Sequence, residues 1–299
     1  MIMWLVDKLK LTMEDTLWIA HMEYIEQDFH LAGQLKKEYP HLDIRYVPLN
    51  FDTRGAAETL YIVCQFMNDE EASRPIVSLD CDTFYLGDVL SKLRQVPVGS
   101  GAIVCFEDTQ PRAIYSYIKH NEQNQVTEIR EKVKISDLAN SGAYMFSDAI
   151  LLRTFLNKFL DGTVDSAGEY YTSTIIDTML ASAEPFQAIR ISTDDFFCVG
   201  TPLQLQAFLR HLITHPELVE PRRLCFDLDC TLVTLPQIAG DYTSVLPIEH
   251  NVKMVRQLKK AGHHIIIHTA RRMKTHKGDV QKVIEEIGDI TKKTLSDFA

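Results

Sequence analysis

The sequence predicts an α/β fold in two successive parts, each a parallel sheet covered by helices. Short apolar runs typical of β-strands alternate with amphipathic helical segments along the chain, and this alternation is typical of parallel sheets. Two prolines, Pro216 and Pro221, interrupt the pattern before a new apolar run begins. We therefore expect a domain boundary near residue 220, with domains at 1–220 and 221–299.

The first part contains most of these elements. Its predicted strands lie at 16–21, 43–49, 75–80, 101–108, 125–133 and 141–148. One polar helix is expected over 23–40, ended by Pro40 because proline cannot continue a helix. The spacing of apolar residues predicts a buried helix over 55–69, and a further helix is predicted over 169–182.

The second part is a smaller α/β unit. A strand at 224–228 is followed by a loop, a helix at 251–262, a strand at 263–269 and a last helix from about Asp279. The order of strand, helix and strand again indicates a parallel sheet with helical cover.

The composition restricts the class of partner. The chain has 299 residues, 45% of them hydrophobic, and a formal net charge of -10. This charge argues against a general nucleic-acid or anionic-membrane binder, which would carry a basic patch. No run reaches the roughly 18 apolar residues of a spanning helix, and no secretory segment opens the chain. Six cysteines without C-x-x-C pairing predict reduced thiols and a cytoplasmic protein; the sequence does not indicate an oligomeric state.

Two pairs of aspartates stand out because each follows a predicted strand. Asp80 and Asp82 end "PIVSLDCD", and Asp227 and Asp229 end "RLCFDLD". The carboxyl ends of parallel strands are where open α/β sheets bind ligands. Alternate residues of a strand lie about 6.5 Å apart, so the two carboxylates of a pair can have different functions. Because aspartate is also a common turn former, one such pair is ambiguous and the neighbouring motifs must decide.

Around the first pair, five motifs follow one another: "GAAETL", "SLDCDTFY", "EIREKV", "ANSGAYMF" and "GEYY". Their order resembles that of the sugar-phosphate nucleotidyltransferases over residues 1 to about 210. These enzymes have a Rossmann-like sheet and join a nucleoside triphosphate to a phosphorylated sugar, releasing pyrophosphate. The resemblance implies that Asp82 binds Mg²⁺ with Asp80 beside it.

The same resemblance implies a substrate site. The turn at Gly55, Ala56 and Ala57 would approach the base and ribose of the nucleotide, and Lys132 would neutralise a substrate phosphate beside Glu131. The residues expected to contact the sugar or another phosphorylated acceptor are Asn140, Gly142 and Glu169.

Two departures from this family pattern affect the expectation. Cys198 in "CVGT" stands where the family has a second metal-binding aspartate, and a neutral thiol is a poor Mg²⁺ ligand. The family also opens with a strand and a G-x-G-x-R loop that wraps the triphosphate, whereas this chain begins "MIMWLVDKLK", which matches the following helix. Without that strand, neighbouring strands would have unpaired backbone groups. We therefore expect either a shortened version of a longer protein or another element that fills the gap.

The second pair lies in "FDLDCTL", which resembles the first motif of haloacid dehalogenase-like phosphatases of the capsule and polysaccharide biosynthesis type, over residues 223 to 299. The resemblance implies a partial Rossmann-like domain in which Asp227 attacks phosphorus and Asp229 acts as the acid. Thr231 would hold the loop, Thr269 would bind phosphate, and Asp227 and Asp229 would contact Mg²⁺.

The phosphatase motifs are incomplete. The family's catalytic lysine and its later acidic pair have no match before Ala299, and these groups are electrostatically essential. The sequence thus predicts a nucleotidyltransferase acting on a nucleoside triphosphate and a phosphorylated sugar or small phosphomonoester, with an incomplete phosphatase domain. The alternatives are a pseudoenzyme or fragment that only binds sugar nucleotides, and a sugar-phosphate phosphatase.

Overall fold

The computed structural model describes residues 2–162, 169–215, 218–219 and 221–297. The chain divides into two compact units, Met1–Phe208 and Leu209–Ala299, here called unit 1 and unit 2. Among the described residues, no helix combines the length and the apolar character needed to cross a membrane.

The first half of unit 1 alternates strands and helices. In chain order its elements are α1 Ile2–Leu9, β1 Thr16–Met22, α2 Glu23–Phe29, α3 Leu31–Glu38, β2 Asp43–Leu49, α4 Ala56–Gln65, α5 Asp69–Ala72, β3 Ile76–Leu79, β4 Thr83–Tyr85 and α6 Val89–Leu93. The predicted strands at 16–21, 43–49 and 75–80 and the buried helix over 55–69 are confirmed. Their apolar spacing is local information that a sequence displays directly.

The polar helix predicted over 23–40 is wrong as a single element. It is two helices, α2 and α3, separated at His30, whose φ of 50° places it in the left-handed region. The backbone N–H of Ala32 is capped by a Glu26 carboxylate oxygen at 2.8 Å. This side chain therefore satisfies a donor at the start of α3, which a continuous helix would have bonded internally.

Strands β1 and β2 form a parallel pair of their own. One face of the pair packs on α1 and α3 through Val6, Ile19 and Leu35, and the other packs on α4 through Val47 and Val63. Within the described part of the chain, β1 has no second strand partner and β3 pairs only with a later strand of the chain. Apolar strands covered on both faces are usually interior strands, whereas β1 is paired along one edge only within the described residues.

The second half of unit 1 builds a six-stranded sheet. Its elements are β5 Gly101–Glu107, β6 Ser116–His120, β7 Val126–Glu131, β8 Leu138–Phe146, α7 Ala149–Leu160, α8 Thr172–Ala181, β9 Phe186–Arg190, β10 Phe196–Cys198 and α9 Pro202–Thr214. The sheet runs β7-β6-β8-β5-β9, with β3 also paired to β8.

The expectation of a purely parallel sheet is wrong for this sheet, which is mixed. Only β5 and β9 pair in parallel, whereas β3, β5 and β6 all run antiparallel to β8. Strands β6, β7 and β8 follow one another without intervening helices, and short connections produce antiparallel neighbours. Helices α4, α7 and α8 pack on the sheet and complete the main core. Eight of the nine residues of β8 are buried, so its polar side chains have fixed surroundings.

Unit 2 contains β11 Arg223–Asp227, α10 Glu249–Lys260, β12 His264–His268 and α11 Val280–Ser296. Strands β11 and β12 are parallel, and Asp279 caps α11 by accepting the backbone N–H of Lys282. The predicted strands and helices of the second part are therefore confirmed.

The division between the units lies within α9, ahead of the boundary expected near residue 220. Phe208 of α9 is buried and stacks on Phe84 at a ring-centroid distance of 5.1 Å, which ties the first turns of α9 to unit 1. Pro216, one of the two prolines on which that expectation depended, lies outside the described residues.

Candidate nucleotide and phosphate sites

The first aspartate pair lies in a turn directly after β3. The backbone N–H of Asp80 donates to Gly142 O of β8 at 3.0 Å, and the carbonyl of Asp82 accepts the N–H of Val199 at 2.8 Å. The N–H of Thr83 donates to Asp80 O at 3.3 Å and closes the turn. The acidic turn is therefore held by β8 on one side and by the segment after β10 on the other.

Two glycines provide the space for the carboxylates. A Cβ added to Gly142 would lie 2.8 Å from Cγ of Asp80, and a Cβ on Gly200 would overlap a carboxylate oxygen of Asp82. Gly142 also has a φ of 85°, which favours glycine. The sequence assigns Gly142 to sugar contact, but the structure shows that it makes room for Asp80. Sequence reasoning missed Gly200, for which "CVGT" was the available signal.

We expect Gly142→Ala to destabilise the protein by about 2–4 kcal/mol, because it combines a strained φ with overlap at Asp80. Gly99→Ala is the matched control, since Gly99 has a similar φ of 80° but open space around its Cβ position. It should cost only about 1 kcal/mol. Urea denaturation of both variants measures the difference. Equal destabilisation would show that Asp80 does not occupy this space.

The Asp80 carboxylate has an unusual protonation equilibrium. Desolvation by surrounding protein, followed by the negative charges of Asp82 and Glu131, raises its pKa to about 7. The residue is nonetheless exposed by surface area, so the desolvation is partial. Because this folded-state pKa lies above the ordinary value, ionisation of Asp80 opposes folding as pH rises from about 4 to 7. A bound cation would reverse that effect.

Cys198 approaches Asp82 through the pairing of β10 with β4, in which Cys198 is opposite Thr83. Desolvation raises the pKa of the Cys198 thiol, and the charges of Asp82 and Asp80 act in the same direction. The thiol is therefore neutral near pH 7. The described residues contain no group of three or more His, Cys, Asp or Glu side chains arranged to hold a metal ion. A metal ion at the acidic turn would therefore have Asp80 and Asp82 as its protein ligands and would need further ligands from water or substrate.

Glu131 and Lys132 lie where β7 ends. One carboxylate oxygen of Glu131 accepts hydrogen bonds from Ser116 and Ser173, both at 2.6 Å. Lys132 has a φ of 52° and its Nζ donates to the hydroxyl of Tyr171 at 2.7 Å. Glu131 therefore joins β6, β7 and α8, and its role in binding substrate stays a prediction.

The Gly55 turn packs against the chain itself. The N–H of Ala57 donates to Tyr170 O at 2.9 Å, and the N–H of Tyr170 donates to Arg54 O at 3.0 Å. A Cβ on Gly55 would lie 2.6 Å from Tyr170 O. The close approach that Gly55 permits is thus to Tyr170, which follows Glu169. The side chain of Ala57 is fully buried in the core, whereas Ala56 is exposed, and the predicted approach of this turn to the nucleotide stays a prediction.

Asn140 is buried on β8 near the acidic turn. Its Oδ1 accepts the backbone N–H of Gly142, while its Nδ2 has no hydrogen-bond partner among the described residues. An unpaired buried donor is costly unless a ligand satisfies it. The predicted contact between Asn140 and the acceptor remains a prediction with this support.

The second aspartate pair is arranged differently. Asp227 ends β11 opposite His268 of β12 and is exposed. Both oxygens of Asp229 are bonded by Arg271, with distances of 2.7–3.0 Å, and Thr269 also donates to Asp229 at 3.1 Å. This geometry opposes the predicted roles of Asp229 as acid and Mg²⁺ ligand and of Thr269 as phosphate ligand.

Arg271 is itself enclosed. Its side chain is 1% exposed, and its guanidinium lies 4.7 Å from the ring centroid of Tyr242. Thr231 accepts the side-chain amide of Asn251 with its backbone carbonyl at 2.7 Å, consistent with a role in holding the loop. Arg271 lies two residues after Thr269 in the sequence, and the structure shows that it pairs with Asp229.

Known proteins with similar sequences match the part of the chain that forms unit 1. The chain is 26% identical over 166 residues to the bifunctional protein GlmU of Clostridium botulinum (strain Loch Maree / Type A3), covering 54% of this chain and 34% of that protein. It therefore spans about a third of the length of the curated relatives it matches.

Two solved structures share the fold. A nucleoside-diphosphate-sugar pyrophosphorylase from Vibrio cholerae RC9 has a TM-score of 0.56 and 17% identity, covering 66% of this chain and 81% of that chain. The CTP:phosphocholine cytidylyltransferase LicC of Streptococcus pneumoniae has a TM-score of 0.52 and 13% identity, covering 71% and 82%. The family profile described as Nucleotidyl transferase matches residues 7–187. The chain belongs to the nucleotidyl transferase family.

Proposed function

We propose that unit 1 joins a nucleoside triphosphate to a phosphorylated sugar or similar small phosphomonoester and releases pyrophosphate, in nucleotide-sugar biosynthesis. The observation that carries this proposal is the acidic turn of Asp80 and Asp82, for which Gly142 and Gly200 leave room. The family supports the reaction type.

The donor set suits Mg²⁺. Asp80 and Asp82 offer hard carboxylate oxygens, and Mg²⁺ is commonly bound by one or two carboxylates together with waters and substrate phosphates. Asp82 would hold the ion with Asp80 beside it. The ion would offset the negative charge of the triphosphate. Cys198, as a neutral thiol, would not contribute a favourable ligand.

In the reaction, an oxygen of the acceptor phosphate forms a bond to the α-phosphorus. The bond from that phosphorus to the bridging oxygen breaks in line, and pyrophosphate leaves with the electron pair. The ammonium of Lys132 has three N–H donors, one of them used by Tyr171. The others can bind acceptor phosphate and reduce its repulsion from the triphosphate. Catalysis would thus depend on positioning and electrostatics.

For unit 2 we propose that the phosphatase-like motif does not hydrolyse phosphomonoesters. An acid must reach the leaving oxygen to give it a proton, but both side-chain oxygens of Asp229 are already hydrogen-bonded by Arg271. Asp227 remains exposed at the end of β11, so a binding role for this strand end is compatible with the geometry.

One assay tests both proposals. Nucleoside triphosphates are paired with sugar 1-phosphates and phosphocholine in Mg²⁺, and pyrophosphate and inorganic phosphate are measured separately. We expect pyrophosphate from at least one pair, only when both substrates are present and not after addition of EDTA, without inorganic phosphate from the acceptor alone. Nucleotide binding by calorimetry without pyrophosphate release would support the pseudoenzyme instead. Inorganic phosphate release that Asp227→Asn abolishes would support the phosphatase.

A further inference from the structure

Lys132 occupies a constrained backbone position. Its φ of 52° lies in the left-handed region, which non-glycine residues seldom adopt, and its N–H donates to Tyr115 O at 2.9 Å. Such positions persist where the surrounding structure holds them, and they cluster at functional sites. The start of the lysine side chain is therefore fixed relative to β7.

The far end of the side chain is also held. The Nζ of Lys132 donates to Tyr171 Oη at 2.7 Å and lies 4.5 Å from the centroid of the same ring. The carboxylate of Glu131 is 4.0 Å away, too far for a hydrogen bond. The lysine side chain is 53% exposed, so its remaining donors can reach a ligand. A free lysine would instead sample many rotamers.

Tyr171 is anchored on both sides. Tyr170 before it exchanges backbone hydrogen bonds with the Gly55 turn. Ser173, in the first turn of α8, donates to Glu131 at 2.6 Å. Tyr171 thus lies between a contact to the turn and a contact to the end of β7, and it cannot move away without breaking one of them.

We propose that Tyr171 is a positioning residue that holds the ammonium of Lys132 ready for the phosphate of the acceptor, an inference that rests on the proposed function. Immobilising a long charged side chain before binding removes part of the entropy loss from the binding step. The effect should therefore be found mainly in the apparent affinity for the acceptor.

The hydrogen bond that Lys132 donates to Tyr171 also raises the pKa of the Lys132 amine, and the negative charges of Glu131 and Glu169 act in the same direction. Glu131 and Glu169 are thus the acidic residues whose charges act on the Lys132 amine. The chemical reactivity of Lys132 toward an acylating reagent therefore reports the contact without any need for enzymatic turnover.

The test compares Tyr171→Phe, which keeps the ring and removes the hydroxyl, with Tyr170→Phe. The hydroxyl of Tyr170 contacts Arg54 at 3.2 Å. Acetylation of Lys132 is followed by mass spectrometry between pH 7 and 10. We expect Tyr171→Phe to increase the rate at Lys132 about threefold, and Tyr170→Phe to leave it unchanged. An unchanged rate in Tyr171→Phe would overturn the proposal.

A second arm uses kinetics. Tyr171→Phe should raise KM for the phosphorylated acceptor about threefold to tenfold, with kcat changed less than about twofold, and should have no further effect in a Lys132→Met background. A Tyr171→Phe effect that persists there would overturn the proposal. If reactivity changes but the wild-type chain releases no pyrophosphate from any pair, the proposed function fails and the Tyr171–Lys132 pair is only a structural contact.

Discussion

Asp82→Asn is expected to lower pyrophosphate release by about 10²- to 10³-fold, the loss typical of removing one preorganised electrostatic group from an active site. The substitution keeps the shape of the side chain and removes its charge. It would weaken Mg²⁺ binding and leave the triphosphate charge less compensated. Initial rates at saturating substrates, with Mg²⁺ titrated in each variant, measure the effect.

A stability measurement distinguishes a loss of activity caused by the missing charge from one caused by unfolding. The negative charge of Asp82 helps to raise the pKa of Asp80, which means that the two carboxylates repel each other in the folded protein. Removing that charge should therefore leave the thermal midpoint unchanged or raise it. Asp28→Asn, on the exposed face of α2, is the control for the same change in net charge and should keep full activity. Equal activity of Asp82→Asn and Asp28→Asn would contradict the proposed transferase.

Asp229→Asn is expected to destabilise unit 2 by about 3–5 kcal/mol, because it leaves the buried guanidinium of Arg271 without a countercharge. Arg271 is 1% exposed, whereas the side chain of Asp229 is 24% exposed. Arg271→Met should thus cost less, about 2–3 kcal/mol, since water can reach the remaining carboxylate. Asp229→Asn combined with Arg271→Met should recover part of the loss.

Hydrogen exchange of peptides from β11 and β12 during urea titration measures this effect within unit 2. Lys282→Met is the control, since Lys282 pairs with Asp279 at 3.4 Å with side chains 66% and 42% exposed. Such surface pairs contribute little, so the control should change stability by less than about 0.5 kcal/mol. If Asp229→Asn costs no more than this control, the ion pair between Asp229 and Arg271 does not hold the loop.

Much of the local structure could be read from the chain. Strand β2 occurs where the apolar run at 43–49 predicts it, and α11 begins beside Asp279 as predicted. The acidic turn after β3 is also present. These features follow from the periodicity of apolar residues and from capping and turn chemistry, which act over a few residues. The family resemblance of residues 1 to about 210 likewise agrees with the match at 7–187.

Other features depended on contacts between distant residues. The sheet is mixed because β8 meets β3, β5 and β6, and a strand sequence carries little information on which neighbour it will pair with. The space around Asp80 is left by Gly142, 62 positions away (142 − 80).

Local pattern thus determined which segments form strands and helices and where the acidic groups lie along the chain. Folding determined which charged groups lie near each acidic side chain. Asp80 is influenced by the charges of Asp82 and Glu131, whereas Asp229 pairs with Arg271. The physical reason is that electrostatic and packing energies depend on distance in space, and sequence separation does not specify that distance. Two similar D-x-D motifs therefore end in opposite environments, one with mutually repelling carboxylates and one neutralised by a buried arginine.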